Sequence, residues 1–228
     1  MKTGRARFND LLENSRWNPA YYLDYDVRIS KSEFPMMRVG ELITEQTKAI
    51  EPKLQPRKIF NYLGLENVES NTGDLVKFHS RNGIEVKSRS KIFSQFDVLY
   101  GRLRPNLNKV YIAAGQGVDE GICSTEFYVL RPKSEHVRPY LFRSVLASCF
   151  VSSVVGRFQT GTALPRLQKD DLFSIQVPVP PLDYQLELEE FIIQADIERR
   201  ELKQRLLEMP FENMSKIEAS LKASKSIW

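Results

Sequence analysis

Leu188, Ala195, Leu202 and Met209 recur every seven residues, and Ile192, Arg199 and Leu206 form a second seven-residue series offset by four. These are the d and a positions of a coiled-coil seam, and they commit this part of the chain to a helix with one apolar stripe. Three heptads leave two partners open: another helix, or the chain's own domain. Arg199 at an a position weakens such a seam while disfavouring wrong registers. Pro210 is expected to end the helix, with FENMSKIEASLKAS forming a second short one.

Upstream of Pro181 the pattern changes. FPMMRVG, IFNYLGLENV, FDVLYGRLRPNLNKVYIA and STEFYVLRP each read as β-structure with an attached turn, punctuated by Gly, Asn and Pro. One helix interrupts them, in RPYLFRSVLASCFVSSVVGR. Pro139 stands in its first turn, and Leu141, Phe142, Val145, Leu146, Cys149 and Phe150 follow at spacings of 3 and 4. Ile175, Val177 and Val179 then alternate with Gln176, Pro178 and Pro180, which suits an edge strand because proline cannot donate to a ladder. The expected division is a globular domain over residues 1–181 and a helical region over 182–228.

With 228 residues, 42% of them hydrophobic, the chain can bury a core. It has no apolar run of about 18 residues to span a membrane. MKTGRARFNDLLENS is charged from its start and does not read as a signal peptide, so a cytoplasmic protein is the default expectation. Cys123 and Cys149 lie apart in apolar contexts and are expected to pack in the core. With only two histidines, a His/Cys zinc site is not expected, and no metal site is assigned.

The net charge of +4 is unevenly spread. Lys77 to Lys109 holds eight Lys/Arg against Glu85 and Asp97, whereas Asp183 to Glu218 holds ten acids against five basic residues. A polyanion would be drawn to the basic body, leaving the acidic helix for protein contacts. The bland alternative is a solvated face with scattered lysines. In EVKSRSK, alternation would put Lys87, Arg89 and Lys91 on one face of a strand. In GRLRPNLNK, Arg102, Arg104 and Lys109 suit phosphates, and Asn106 or Asn108 an adenine edge. Equally, Pro105 and the asparagines can make a tight turn with the arginines merely solvated. In GTALPRLQKDDLFSIQVPVPPLDYQ, Thr160, Gly161 and Thr162 form a small polar turn able to approach phosphates or base edges, Arg166 offers a guanidinium, and KDD starts a short helix. A purely structural, domain-closing segment is the other reading.

The order GRLRPNLNKV, GICSTEFYVLRP, GTALPRLQKDDLFSIQVPVPPLDYQ resembles the DNA-specificity subunits of Type I restriction-modification systems, with weaker echoes in RWNPAYY and YLGLENV. The resemblance implies an α/β (α+β) target recognition domain with a mixed, mainly antiparallel sheet, followed by a long coiled-coil-type spacer helix. It implies no catalysis in this chain. Double-stranded DNA is the ligand it implies, and the partners are methyltransferase and restriction subunits that carry S-adenosylmethionine, ATP and Mg²⁺. Full subunits of that family have two recognition units. The single unit here reads as a half-subunit, so a homodimer through Leu188, Ile192, Ala195, Arg199, Leu202 and Leu206 is expected.

Two enzymatic patterns compete with this reading. NPAY (Asn18 to Tyr21) superficially resembles an amino-methyltransferase NPPY segment, but it lacks the second proline and no Gly-rich cofactor loop accompanies it. Asp74 with Glu85 and Lys87 mimics the acid and ExK spacing of metal-dependent endonucleases. A protein-interaction module with a basic face is the third class.

Overall fold

The computed structural model describes residues 32–158 and 164–223, so Thr160, Thr162 and the NPAY segment lie outside the described residues. The chain divides into two compact units, Met1–Leu186 and Glu187–Trp228.

Twelve short strands occur among the described residues: β1 (Met36–Arg38), β2 (Ile43–Glu45), β3 (Ala49–Ile50), β4 (Ile59–Phe60), β5 (Tyr62–Leu63), β6 (Arg81–Asn82), β7 (Ser90–Phe93), β8 (Val98–Gly101), β9 (Val110–Ile112), β10 (Gly121–Ser124), β11 (Phe127–Pro132) and β12 (Gln176–Pro178). The helices described are α1 (Val39–Leu42), α2 (Pro139–Ala147), α3 (Cys149–Phe158), α4 (Lys169–Ser174) and α5 (Leu182–Ala223).

The first unit is organised by strands that are apolar on both faces. Val98, Leu99 and Tyr100, then Val110, Tyr111 and Ile112, are all buried. Successive side chains of a strand point to opposite sides, so such runs need cover above and below. Val98, Tyr100, Val110, Ile112, Tyr128 and Leu130 join one core with Phe142, Leu146, Val151 and Val155 of the helices. Leu99, Tyr111, Phe127 and Val129 join a second core with Leu63, Phe93 and Cys123. The central sheet, ordered β2-β11-β8-β9, is antiparallel throughout. Helices cover one face; the sheet β3-β7-β10-β5, in which only the β10–β5 pair is parallel, supplies strands to the core on the other. The architecture is the expected mixed, mainly antiparallel α/β fold, with the edge strand β12 paired to β1.

Three local expectations change. The single helix after Pro139 breaks at Ser148, whose extended backbone (φ −64°, ψ 153°) ends α2 while its Oγ accepts the Val151 N–H and caps α3. The two pieces meet at 55°, and no single helix among the described residues is long and apolar enough to cross a membrane. Cys149, placed by that break at the start of α3, is exposed, so core packing holds for Cys123 alone, whose thiol pKa burial pushes up. Finally, α5 runs through Pro210 to Ala223. Losing one N–H weakens a helix without forbidding it where good helix formers such as Leu206, Leu207, Glu208 and Met209 flank the proline.

Gly73 fixes a crossing at the rim of the sheet. Its φ is +67°, and a Cβ there would stand 2.0 Å from the Val110 carbonyl oxygen and 2.6 Å from Arg143 Nη2. Gly73→Ala is therefore expected to lower stability by about 2 kcal/mol, read as a drop in the urea midpoint; an unshifted midpoint contradicts the close approach.

Candidate nucleic-acid interface

Three sequence blocks far apart in the chain are laced together by main-chain bonds. The Arg102 N–H donates to the Glu126 carbonyl at 2.8 Å, the Leu167 N–H to the Arg102 carbonyl at 2.9 Å, and the Arg104 N–H to the Pro165 carbonyl at 2.8 Å. Leu103 and Arg166 form an antiparallel bridge, and the Tyr128 hydroxyl donates to the Leu167 carbonyl at 2.9 Å. GRLRP, TEFY and LPRLQ thus meet by backbone geometry, with Gly101 and Phe127 paired at the ends of β8 and β11.

Onto this frame the chain places cations and aromatic rings. Arg102 Cζ lies 5.3 Å from the Tyr128 ring centre and Lys91 Nζ 5.4 Å from it, within cation–π reach. Arg166 grips the Glu126 carboxylate through Nε and Nη2 at 2.8–3.2 Å. Lys169 Nζ stands 2.8 Å from Glu45 Oε2 and 5.3 Å from the Phe173 ring centre. Burial raises the Tyr128 pKa, with Arg102 and Lys169 lowering it and Glu45 and Asp170 raising it, so the phenol keeps its proton and remains a donor. Hydrogen bonding to Glu126 and to Glu45 raises the pKa of Arg166 and of Lys169 respectively, so both stay charged. Arg104 is exposed and holds a left-handed backbone (φ 47°) at the entrance to the 3-10 turn Pro105–Leu107, a conformation that costs a non-glycine residue about 1 kcal/mol or more.

The other residues expected at DNA separate into outward and inward groups. Lys87, Arg89 and Asn106 are exposed. The three-cation strand face does not form, because β7 begins only at Ser90, after the 3-10 turn Gly83–Glu85 and an irregular link. Lys91 turns inward: its ammonium donates to the Phe127 carbonyl at 2.9 Å and lies 3.7 Å from Glu45. Asn108 is buried with φ 48°, and its amide donates to the Ala147 carbonyl at 2.8 Å, which is the tight-turn alternative for that asparagine. Lys109 donates to the Leu65 and Val68 carbonyls at 2.7 and 2.8 Å, and desolvation lowers its pKa. Lys109→Met should accordingly cost about 1 kcal/mol of stability by stranding two carbonyls, and leave the salt dependence of DNA binding unchanged. A reduced salt slope would return Lys109 to the interface.

The sequence does not single out Tyr128, Lys169, Glu45 or Glu126 as site residues. Glu126 and Tyr128 lie inside STEFYVLRP, and Lys169 heads KDD; for Glu45 no local signal exists, since only strand pairing brings it there. The endonuclease pattern finds no matching geometry: Glu85 accepts the Asn82 N–H at 2.6 Å as a turn cap, and among the described residues no group of three or more His, Cys, Asp or Glu side chains is placed to hold a metal ion.

No family model matches the chain. Over 152 residues it is 30% identical to the specificity subunit of the Type I restriction enzyme EcoDI of Escherichia coli, a match covering 67% of this chain and 32% of that protein. The chain thus has a homologue that is a Type I restriction specificity subunit. The HsdS subunit from Thermoanaerobacter tengcongensis superposes with a TM-score of 0.63 at 24% identity, covering 81% of this chain and 47% of that one. A chain solved in work on complex assembly and conformational transition of the type I R-M system gives 0.59 at 25% identity, covering 83% and 50%. The chain therefore spans about a third of the length of the curated relative and about half of each solved chain.

Proposed function

We propose that this chain is a sequence-specific DNA-recognition unit of a Type I-like restriction-modification complex, without catalysis of its own, that directs methyltransferase and restriction subunits supplying S-adenosylmethionine, ATP and Mg²⁺ chemistry. The observation that carries this reading is the convergence of the three blocks that resemble the family onto one surface of cations and aromatic rings, lined by Arg102, Arg104, Arg166 and Lys169. Residues 159–163, with Thr160 and Thr162, adjoin this surface in sequence. Phosphate contacts position a reader and base contacts specify, so the exposed Arg104, Lys87 and Arg89 fit the first role. Selection of bound duplexes from a random pool tests the reading: an enriched motif supports it, and uniform recovery overturns it.

Salt-dependent binding to random duplex separates a DNA reader from a module for acidic proteins. Replacing Lys87, Arg89 and Arg104 with Ala should weaken binding to every duplex and lower the salt slope by about one unit for each phosphate that the variant no longer neutralises. Metal-dependent nicking abolished by EDTA would favour the endonuclease alternative. The assembly belongs to the same proposal: the exposed apolar row of α5, including Leu202 and Leu206, is read as the seam of a homodimer.

A further inference from the structure

Carboxylates hold several arginines of the first unit. Arg81 pairs with Glu66 at 3.2 Å, Arg131 with Asp97 at 2.8 Å, and Arg166 with Glu126 at 2.8 Å. No acidic side chain among the described residues pairs with Arg102, and unlike the exposed Arg89 and Arg104 it is half-buried. Its backbone is pinned on both sides, by the Glu126 carbonyl and the Leu167 N–H, its guanidinium stacks on Tyr128, and its Nε is buried without a hydrogen-bond partner. A buried unpaired N–H carries a desolvation cost, and stacking on the ring is what holds the side chain there despite it. The result is a half-buried guanidinium whose orientation is set before any ligand arrives.

We infer that Arg102 is a specificity-determining residue that reads the O6/N7 edge of a guanine in the major groove. This rests on the DNA-recognition reading above and names the base it reads. The choice of a base over a phosphate follows from the surroundings. Lys87, Arg89 and Arg104 are exposed and can follow phosphates, whereas Arg102 is half-buried, bonded through its backbone on both sides and held over the Tyr128 ring. The nearby carboxylates of Glu126 and Glu45 are taken up by Arg166 and Lys169, and a guanine edge offers two acceptors matched to the fixed guanidinium fork. A phosphate can be met by a mobile cation from many directions, whereas a fork held in one place suits an acceptor pair of fixed geometry.

The test compares the full chain with Arg102→Lys, which keeps the charge and loses the fork, by selection from a random duplex pool. Wild type should enrich a motif with guanine at one position favoured about tenfold to a hundredfold, and Arg102→Lys should lose that preference while the other positions persist. In the same motif, 7-deazaguanine at that position removes one acceptor. Wild-type binding should weaken several-fold, and Arg102→Lys binding should not. An unchanged motif for Arg102→Lys, or an equal 7-deazaguanine penalty for both proteins, overturns the inference and leaves DNA recognition standing. A wild type that enriches no motif overturns both.

Discussion

Arg131→Met is expected to lower stability by about 2 kcal/mol, out of a total of about 5–15 kcal/mol for a domain of this kind. Asp97 is fully buried, and both its oxygens are occupied. Arg131 donates to them through Nε at 2.8 Å and Nη2 at 2.9 Å, and the Ser94 N–H adds a bond at 2.9 Å. The bond to Asp97 raises the pKa of Arg131, so the guanidinium stays charged. Removing the arginine leaves a carboxylate in the interior with one N–H to balance it. A fully buried pair would lose more, but the Arg131 side chain is 47% exposed and water softens the loss. Adding Asp97→Leu removes the stranded charge and should restore part of the stability. Urea unfolding of the two single variants and the double variant measures this. A single-variant cost under roughly 0.5 kcal/mol would mean that water, not Arg131, balances Asp97.

Arg131 belongs to FYVLRP, so one part of the resembling sequence builds the fold while another part lines the surface. What is legible in the sequence follows from range. The apolar runs VLY and VYI are local and read as strands; that both faces are covered appears only when the two cores are seen. Pro139, Pro178 and KDD are local signals too, and each lies where expected: Pro139 at a helix start, Pro178 in an edge strand, KDD in a helix start. Ser148 gives no such signal, because apolar residues continue at helical spacing across it; only the side-chain cap to Val151 reveals the break. Lys91 and Lys109 read as outward-facing because charge predicts water. Each instead reaches a carbonyl delivered by a distant segment, Phe127 for one and Leu65 with Val68 for the other.

The same distinction accounts for GTALPRLQ. Of its described residues, Pro165 gives a carbonyl to Arg104, Leu167 gives an N–H to Arg102 and a carbonyl to Tyr128, and Arg166 is paired with Glu126. A segment whose work is to hold two other blocks in place needs few reactive side chains, because the main chain makes the bonds. Its part in the candidate site is visible only once the pairing partners are known.

The unmutated chain is expected to have twice its own mass in light scattering at concentrations on the order of tens of micromolar, and Leu202→Glu with Leu206→Glu should return it to one chain. In the second unit Leu202, Leu206 and Met209 are 52%, 68% and 51% exposed, an apolar row at a/d spacing that a single helix leaves in water. Arg199, the charged a position, already has a partner within its own helix, Asp196 at 2.9 Å. Two such arginines facing each other across a two-fold axis would therefore repel less than bare cations. The helix is also longer than Pro210 alone predicts, at 42 residues or about 63 Å, and Phe211, Met214 and Ile217 extend the exposed apolar surface beyond the proline. An antiparallel pair of such helices would hold two recognition units a fixed distance apart, and the selected motif should then be an interrupted palindrome. The charged double variant should still bind a half-site but lose discrimination between spacer lengths. A one-chain mass for the unmutated protein would overturn the homodimer and assign the apolar row to a different protein.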